Sequence, residues 1–277
     1  MSPQPSLRTE KRLLRAGRSV VAAVDEVGRG ALSGPTTVGV VLVDVSVSRP
    51  LAGVRDSKLL TAEAREALVP RIERWSAGSA VGHASAAEID RFGLIAALRL
   101  AGLRALEQLP LRPDVVLLDG NHDWLSPPDQ PGLFAPPSAT VEIPEVVTMI
   151  KADLHCAGVA AASVLAKVAR DTLMLDLAAE HPVYGWDENK GYATPGHLAA
   201  LRHWGPCPHH RRSWRLPDRS SDGDGSGPVR TRASAPVPSS ISPTPGSPGP
   251  VRTARPWRRC PATADPVPCG LCAVRAG

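Results

Sequence analysis

Four acidic residues stand where apolar runs end or helices begin. Asp25 and Glu26 follow the run 19–24 in Asp25-Glu26-Val27-Gly28-Arg29-Gly30. Asp119 closes the run 114–118 as Leu117-Leu118-Asp119-Gly120, and Asp153 follows the run 141–150 in Lys151-Ala152-Asp153. Carboxylates beside a core strand are costly unless they are paired or bind a cation. Three or four gathered in one place suit two Mg²⁺ or Mn²⁺ ions about 4 Å apart, one activating water and the other stabilising the leaving oxygen of a phosphodiester. Oxygen ligands favour these hard ions over zinc. Each acid also has a plainer reading: two solvated acids in a turn for Asp25 and Glu26, an Asp-Gly turn for Asp119, a helix-dipole acid for Asp153. Adjacent side chains of a strand point to opposite faces, so spacing alone does not put Asp25 and Glu26 in one site. The recurrence of acids at four such places is what random turns would not supply.

The elements that must position them alternate in type. Runs 19–24 and 36–45 read as neighbouring strands joined by a turn rich in Gly28, Gly30, Gly34 and Pro35. Thr61 is an N-cap for a helix to about Trp75, 79–84 is a short strand, and Ser85 with Glu88 makes a capping box opening a long helix to Leu109. Runs 114–118 and 141–150 are further strands, and 158–179 has helical periodicity. The chain is thus expected to form an α/β domain over 19–216, with a mixed central sheet flanked by helices. Residues 1–18 are expected as a flexible basic lead-in. Residues 217–277, with 12 prolines and little apolar periodicity, are expected as a disordered tail.

Charge constrains partners only weakly. The 277-residue chain carries a net +5, but eight arginines and four acids lie beyond Leu216, leaving 24 basic and 23 acidic residues in the body. A carboxylate cluster that holds cations offsets the basic residues around it. Five cysteines are too few and scattered for a disulfide framework. No apolar run approaches the ~18 residues of a membrane span, and a cytoplasmic protein without a membrane partner is expected. The eight histidines show no ligand spacing, and surface or capping roles are expected for most. Cys269 and Cys272, with Cys260 upstream, lack a placed fourth ligand for a closed zinc site.

The acids belong to a longer series. Asp25 to Gly30, Asp56-Ser57-Lys58, Leu118-Asp119-Gly120, Lys151-Ala152-Asp153, the run Ala161 to Asp171, Lys190-Gly191-Tyr192 and the closing His210-Arg211-Arg212-Ser213-Trp214 resemble the signatures of ribonuclease HII, in that family's order, from about Val20 to Trp214. The resemblance implies a ribonuclease H-like sheet with a small C-terminal helical portion, and a metal-binding catalytic set of Asp25, Glu26, Asp119 and Asp153 served by Mn²⁺ or Mg²⁺. It implies that Gly28, Arg29 and Gly30 read the ribonucleotide 2′-hydroxyl, the group that separates RNA from DNA, and that Tyr192 packs on the sugar at the RNA–DNA junction. Lys58 and Lys167 are expected phosphate contacts, against the alternative of solvated lysines, and Ser163 either touches a phosphate or serves helix packing. Arg211 and Arg212 either steer nucleic acid or are structural. The implied partners are RNA–DNA hybrids and ribonucleotide-containing duplex DNA, cut by a monomeric endonuclease. Two departures stand out: Leu59 replaces a second lysine, and Ala152 stands where many members have glycine. The short stretch before the first strand favours ribonuclease HII over ribonuclease HIII. A different nuclease or strand-transfer reaction, or a hybrid-binding module that no longer cuts, remain the competing functions.

Overall fold

Small, β-branched and leucine side chains fill 21–24, 38–43 and 115–118, and in the computed structural model these runs form the buried centre of a sheet. The structure describes residues 4–128 and 142–218, all within one compact unit. The elements run α1 (Arg8–Arg15), β1 (Val21–Val27), β2 (Thr36–Val43), α2 (Ala62–Trp75), β3 (Gly78–Ala84), α3 (Ala86–Phe92), α4 (Leu94–Leu106), β4 (Val115–Asp119), β5 (Glu145–Met149), α5 (Ala152–His155), α6 (Ala157–Glu180), α7 (Trp186–Asn189) and α8 (Pro195–Trp204). Among the described residues the strands form one mixed sheet in the order β3-β2-β1-β4-β5. The first three pair antiparallel, and β1, β4 and β5 pair parallel. The expected α/β architecture with flanking helices and a small C-terminal helical portion is therefore present.

Both faces of the central strands are covered, which explains why they lack a polar alternation. Ala22, Val24, Val116 and Leu118 pack with Ala97, Leu98 and Ala101 of α4. Val21, Ala23, Val115 and Leu117 face the other way, with Ala152 and Val159. Helix α6 approaches this second face closely because Gly39 of β2 has no side chain: a Cβ there would lie 2.3 Å from the carbonyl oxygen of Ala162.

Several boundaries differ from the sequence reading, each for a local reason. Strand β1 continues through Glu26 because its partner β2 pairs with it to Thr37. Asp114 does not begin β4; its carboxylate accepts the N–H groups of Ser19 and Val20 at 2.7 and 2.9 Å. The long helix expected to reach Leu109 is broken at Gly93, whose φ of 81° and ψ of 161° stop α3 and start α4 at a new angle. The Ser85–Glu88 capping box itself is formed. Pro144 has no N–H for a ladder bond, and β5 begins only after it; position 141 lies outside the described residues, as does nearly all of the proposed tail 217–277.

The largest correction concerns the lead-in. Residues 8–15 form α1, Leu7 is buried against Val43 and Val47 in one core cluster, and the buried Glu10 carboxylate accepts the N–H of Gly158 at 2.8 Å at the start of α6. Burial raises the pKa of Glu10, with the Gly158 bond opposing the rise. Leu7→Ala is expected to lower the unfolding free energy by about 2–5 kcal/mol in urea denaturation, as for a core leucine. A loss under about 0.5 kcal/mol, typical of surface positions, would show that α1 does not pack as described.

Candidate active site

The sheet itself brings two carboxylates together. Val24 of β1 pairs in parallel with Leu118 of β4, so Asp25 and Asp119 follow one place further along neighbouring strands. They also share the parity of Val21, Ala23, Val115 and Leu117, which puts both on the α6 side of the sheet. Asp25 is buried, and its pKa is raised well above the ordinary aspartate range by burial, with repulsion from Glu26 and Asp119 adding to the rise and the Ser163 hydroxyl opposing it. Glu26 is raised chiefly by burial and further by Asp119, while Arg29, 3.4 Å away, opposes. Asp153 is raised by burial and by Asp119 and Asp56. Asp119 thus repels each of the other three acids expected from the sequence, although among the described residues no three of these carboxylates place oxygens within 4.8 Å of one another and Glu26 has the opposite strand parity.

Backbone geometry holds the group in place. The Asp119 carboxylate accepts the N–H of Ala152 at 2.6 Å, tying the end of β4 to the start of α5 and so to Asp153. Lys151 makes that corner with a left-handed φ of 58°. Among the described residues, Glu26 Oε2 is buried without a hydrogen-bond partner. A buried carboxylate oxygen left unpaired beside other acids is a group that a cation would satisfy, so the residues present fit a divalent ion with oxygen ligands.

The other predicted residues separate into two sets. Lys58 is exposed; burial works against its charge, but attraction to Asp56, Asp153, Asp25 and Asp119 outweighs it and raises its pKa. Asp56, read from sequence only as part of a motif, is a buried fifth acid in this field, its carboxylate accepting the Lys58 N–H at 3.0 Å. Ser163 is buried beneath Asp25, with its hydroxyl 2.9 Å from that of Ser57. Lys167 lies one turn further along α6 and is paired with Asp171 at 2.6 Å, with Arg65 also reaching Asp171 at 3.7 Å.

The comparison with known proteins follows this geometry. A family model described as Ribonuclease HII matches residues 22–216. A ribonuclease HII of Streptomyces avermitilis is 47% identical over 220 residues, covering 79% of this chain and 87% of that protein. One from Paracoccus denitrificans is 45% identical over 213 residues, covering 76% and 91%. The chain belongs to the ribonuclease HII family. In structure it resembles the ribonuclease H2 of Pyrococcus horikoshii OT3 with a TM-score of 0.54 at 25% identity, covering 70% of this chain and 93% of that one. It is accordingly a ribonuclease H, from a family that cleaves the RNA of RNA–DNA hybrids.

In this ribonuclease HII the loop from Gly28 to Pro35 is held by two arginines whose role the sequence did not reveal. Both are fully buried. Arg170 donates to the carbonyls of Pro35 at 2.9 Å, Ser33 at 3.1 Å and Lys190 at 2.9 Å, and lies 5.5 Å from the Tyr192 ring centroid. Arg211 donates to the carbonyls of Gly28 at 2.6 Å, Arg29 at 2.9 Å and Gly34 at 3.2 Å. Burial and the neighbouring Arg170 push the Arg211 pKa down to about 9. The turn is pinned from a third side, where the Leu32 N–H donates to Gly191 O at 2.8 Å. Arg29 and Gly30 are left exposed, and a Cβ at Gly30 would meet nothing within 4 Å.

His197 and His210 depart from the surface or capping roles expected for most of the histidines and are fully buried. His197 Nδ1 bonds the Tyr192 carbonyl at 2.9 Å, so that nitrogen carries the proton, and its Nε2 accepts from Trp186 Nε1 at 3.2 Å and from His210 Nε2 at 3.1 Å. His210 Nδ1 in turn accepts the Cys207 N–H at 3.1 Å. The chain is satisfied with both rings neutral, and burial together with His197 pushes His210 down to about 4.

A lysine cannot span the three carbonyls that Arg211 holds, because its donors radiate from a single nitrogen. Arg211→Lys is therefore expected to cost at least about 2 kcal/mol of unfolding free energy, measured by chemical denaturation, and to raise KM for an RNA–DNA hybrid. Arg212→Lys, at an exposed neighbour, serves as the control and should change neither. Equal stability of the two variants would contradict the clamp.

Proposed function

We propose that this ribonuclease HII is a monomeric endonuclease that hydrolyses the RNA strand of RNA–DNA hybrids and also cuts 5′ of ribonucleotides embedded in duplex DNA, leaving 3′-hydroxyl and 5′-phosphate ends. The observation that carries the reading is the set of repelling, buried and half-buried acids, with Glu26 Oε2 unpaired, one turn away from the exposed Arg29 and Gly30. Asp25, Glu26, Asp119 and Asp153 would hold Mg²⁺ or Mn²⁺, which would activate the attacking water and stabilise the leaving oxygen.

The chain's own residues supply recognition and position. The turn Gly28-Arg29-Gly30 presents its remaining backbone groups to a 2′-hydroxyl; it is rigid because Arg211 holds the Gly28 and Arg29 carbonyls while Arg170 holds Pro35 at the far end of the loop. Tyr192, 37% exposed and backed by Arg170, offers its ring to the sugar at the RNA–DNA junction. Lys58 presents its ammonium beside the acids, where it can meet a phosphodiester oxygen as a point charge. Ser163 acts from beneath by hydrogen bonding to Asp25 rather than by touching phosphate. Lys167, engaged with Asp171, contributes to the backbone-contacting surface only at its margin.

The test is cleavage of a labelled DNA duplex containing one ribonucleotide, in Mg²⁺ and in Mn²⁺, by the wild-type protein and by Asp119→Asn. The wild type is expected to cut 5′ of the ribonucleotide and to leave an all-DNA duplex intact, and the variant to lose at least about 100-fold in rate. Wild-type protein that binds the ribonucleotide-containing duplex without cutting it in either metal would overturn the reading in favour of a binding module.

A further inference from the structure

A second group of ligating side chains lies well away from the acids. Glu180, His181 and His209 each place one donor atom within 4.8 Å of the others. Nothing in their sequence spacing reveals this, because the pair and the single histidine come from different segments. Glu180 is the last residue of α6, and Ser163, beneath Asp25, lies 17 positions earlier in that helix, about 25 Å along its axis.

The backbone fixes both segments and leaves the side chains free. The His181 N–H closes α6 on Leu177 O at 2.9 Å, and the His209 carbonyl accepts the Gly34 N–H at 2.8 Å. The two imidazole rings lie 5.3 Å apart, and the buried Trp186 presents an edge-on contact to each, at 5.8 Å for His181 and 6.2 Å for His209. Among the described residues, no protein hydrogen bond engages the Glu180 carboxylate or a ring nitrogen of His181 or His209.

We propose that Glu180, His181 and His209 form a second cation site, selective for a borderline transition ion such as Zn²⁺. Two imidazole nitrogens and one carboxylate oxygen are a ligand set that zinc accepts with a water in the fourth position, whereas Mg²⁺ demands oxygen. The acids around Asp25 have the opposite preference, so the two sites discriminate by donor type. Bound metal would join the end of α6 to the segment that carries His210 and Arg211, and so would brace the clamp on Gly28 and Arg29.

The test is calorimetric titration of the tag-free, full-length protein with ZnCl₂ in buffer saturated with Mg²⁺, comparing the wild type with H181Q/H209Q and with E180Q. Cys260, Cys269 and Cys272 are present in all three proteins, so zinc taken up by the thiols cancels from the comparison. The wild type is expected to bind one equivalent more than H181Q/H209Q, and E180Q to bind that equivalent at least about tenfold more weakly. Zinc should also raise the melting temperature of the wild type more than that of H181Q/H209Q, since a ligand of the folded state stabilises it. Equal stoichiometry and affinity in the wild type and H181Q/H209Q would overturn the site. Should the double variant misfold by circular dichroism, E180Q, altered at an exposed residue, decides by the same criterion: unchanged affinity overturns it.

Discussion

Asp25 and Asp119 sit side by side because two parallel strands are in register, and keeping their charges together in a partly buried place is the constraint around which the molecule is arranged. Strand pairing alone would drive the carboxylates apart or into their neutral forms. Here the surroundings compensate in part: Ser163 supports Asp25, the Ala152 N–H holds Asp119, Arg29 faces Glu26 and Lys58 balances several acids at once. Burial first, and repulsion after it, leave the pKa values of Asp25, Glu26 and Asp153 raised, and a divalent cation would offset both.

A single helix connects this electrostatic problem to the recognition surface. Along α6, Ser163 touches the acids, Arg170 organises the loop from Gly28 to Pro35 and the Lys190 corner, and Glu180 closes the helix. The arginines at its middle and in the C-terminal segment are satisfied by carbonyl dipoles, and among the described residues neither forms an ion pair with a carboxylate. That choice adds no further negative charge behind a turn proposed to receive a polyanion. It also makes the turn's shape depend on residues more than 130 positions away in the chain.

Much of the fold was legible because its signals are local. The apolar runs of β1, β2 and β4, the Thr61 cap and the Ser85–Glu88 box all act within a few residues. The four acids were legible as a set through their motifs, yet the approach of Asp25 to Asp119 depends on the β1–β4 register, which no local pattern encodes. Residues 8–15 looked like a polar lead-in because α1 buries a carboxylate, Glu10, whose partner lies on α6. Arg170, His197 and His210 were unreadable for the same reason, and Arg211 was legible only as steering or structural: composition places such residues at a surface, and only tertiary contacts show which groups they satisfy. Gly93 could have been read as a break, since a glycine inside a helical pattern weakens it.

The most direct test of the central claim compares the melting temperatures of the wild type and Asp25→Asn at pH 8, in EDTA and in saturating Mg²⁺. A carboxyl whose pKa is raised on folding stabilises the protein while protonated and costs stability as pH rises from the ordinary carboxylate range through its folded value. Removing the charge should therefore make Asp25→Asn at least as stable as the wild type without metal. Mg²⁺ should raise the wild type far more than the variant, reversing their order. A variant that is less stable in EDTA and gains as much from Mg²⁺ as the wild type would contradict the account.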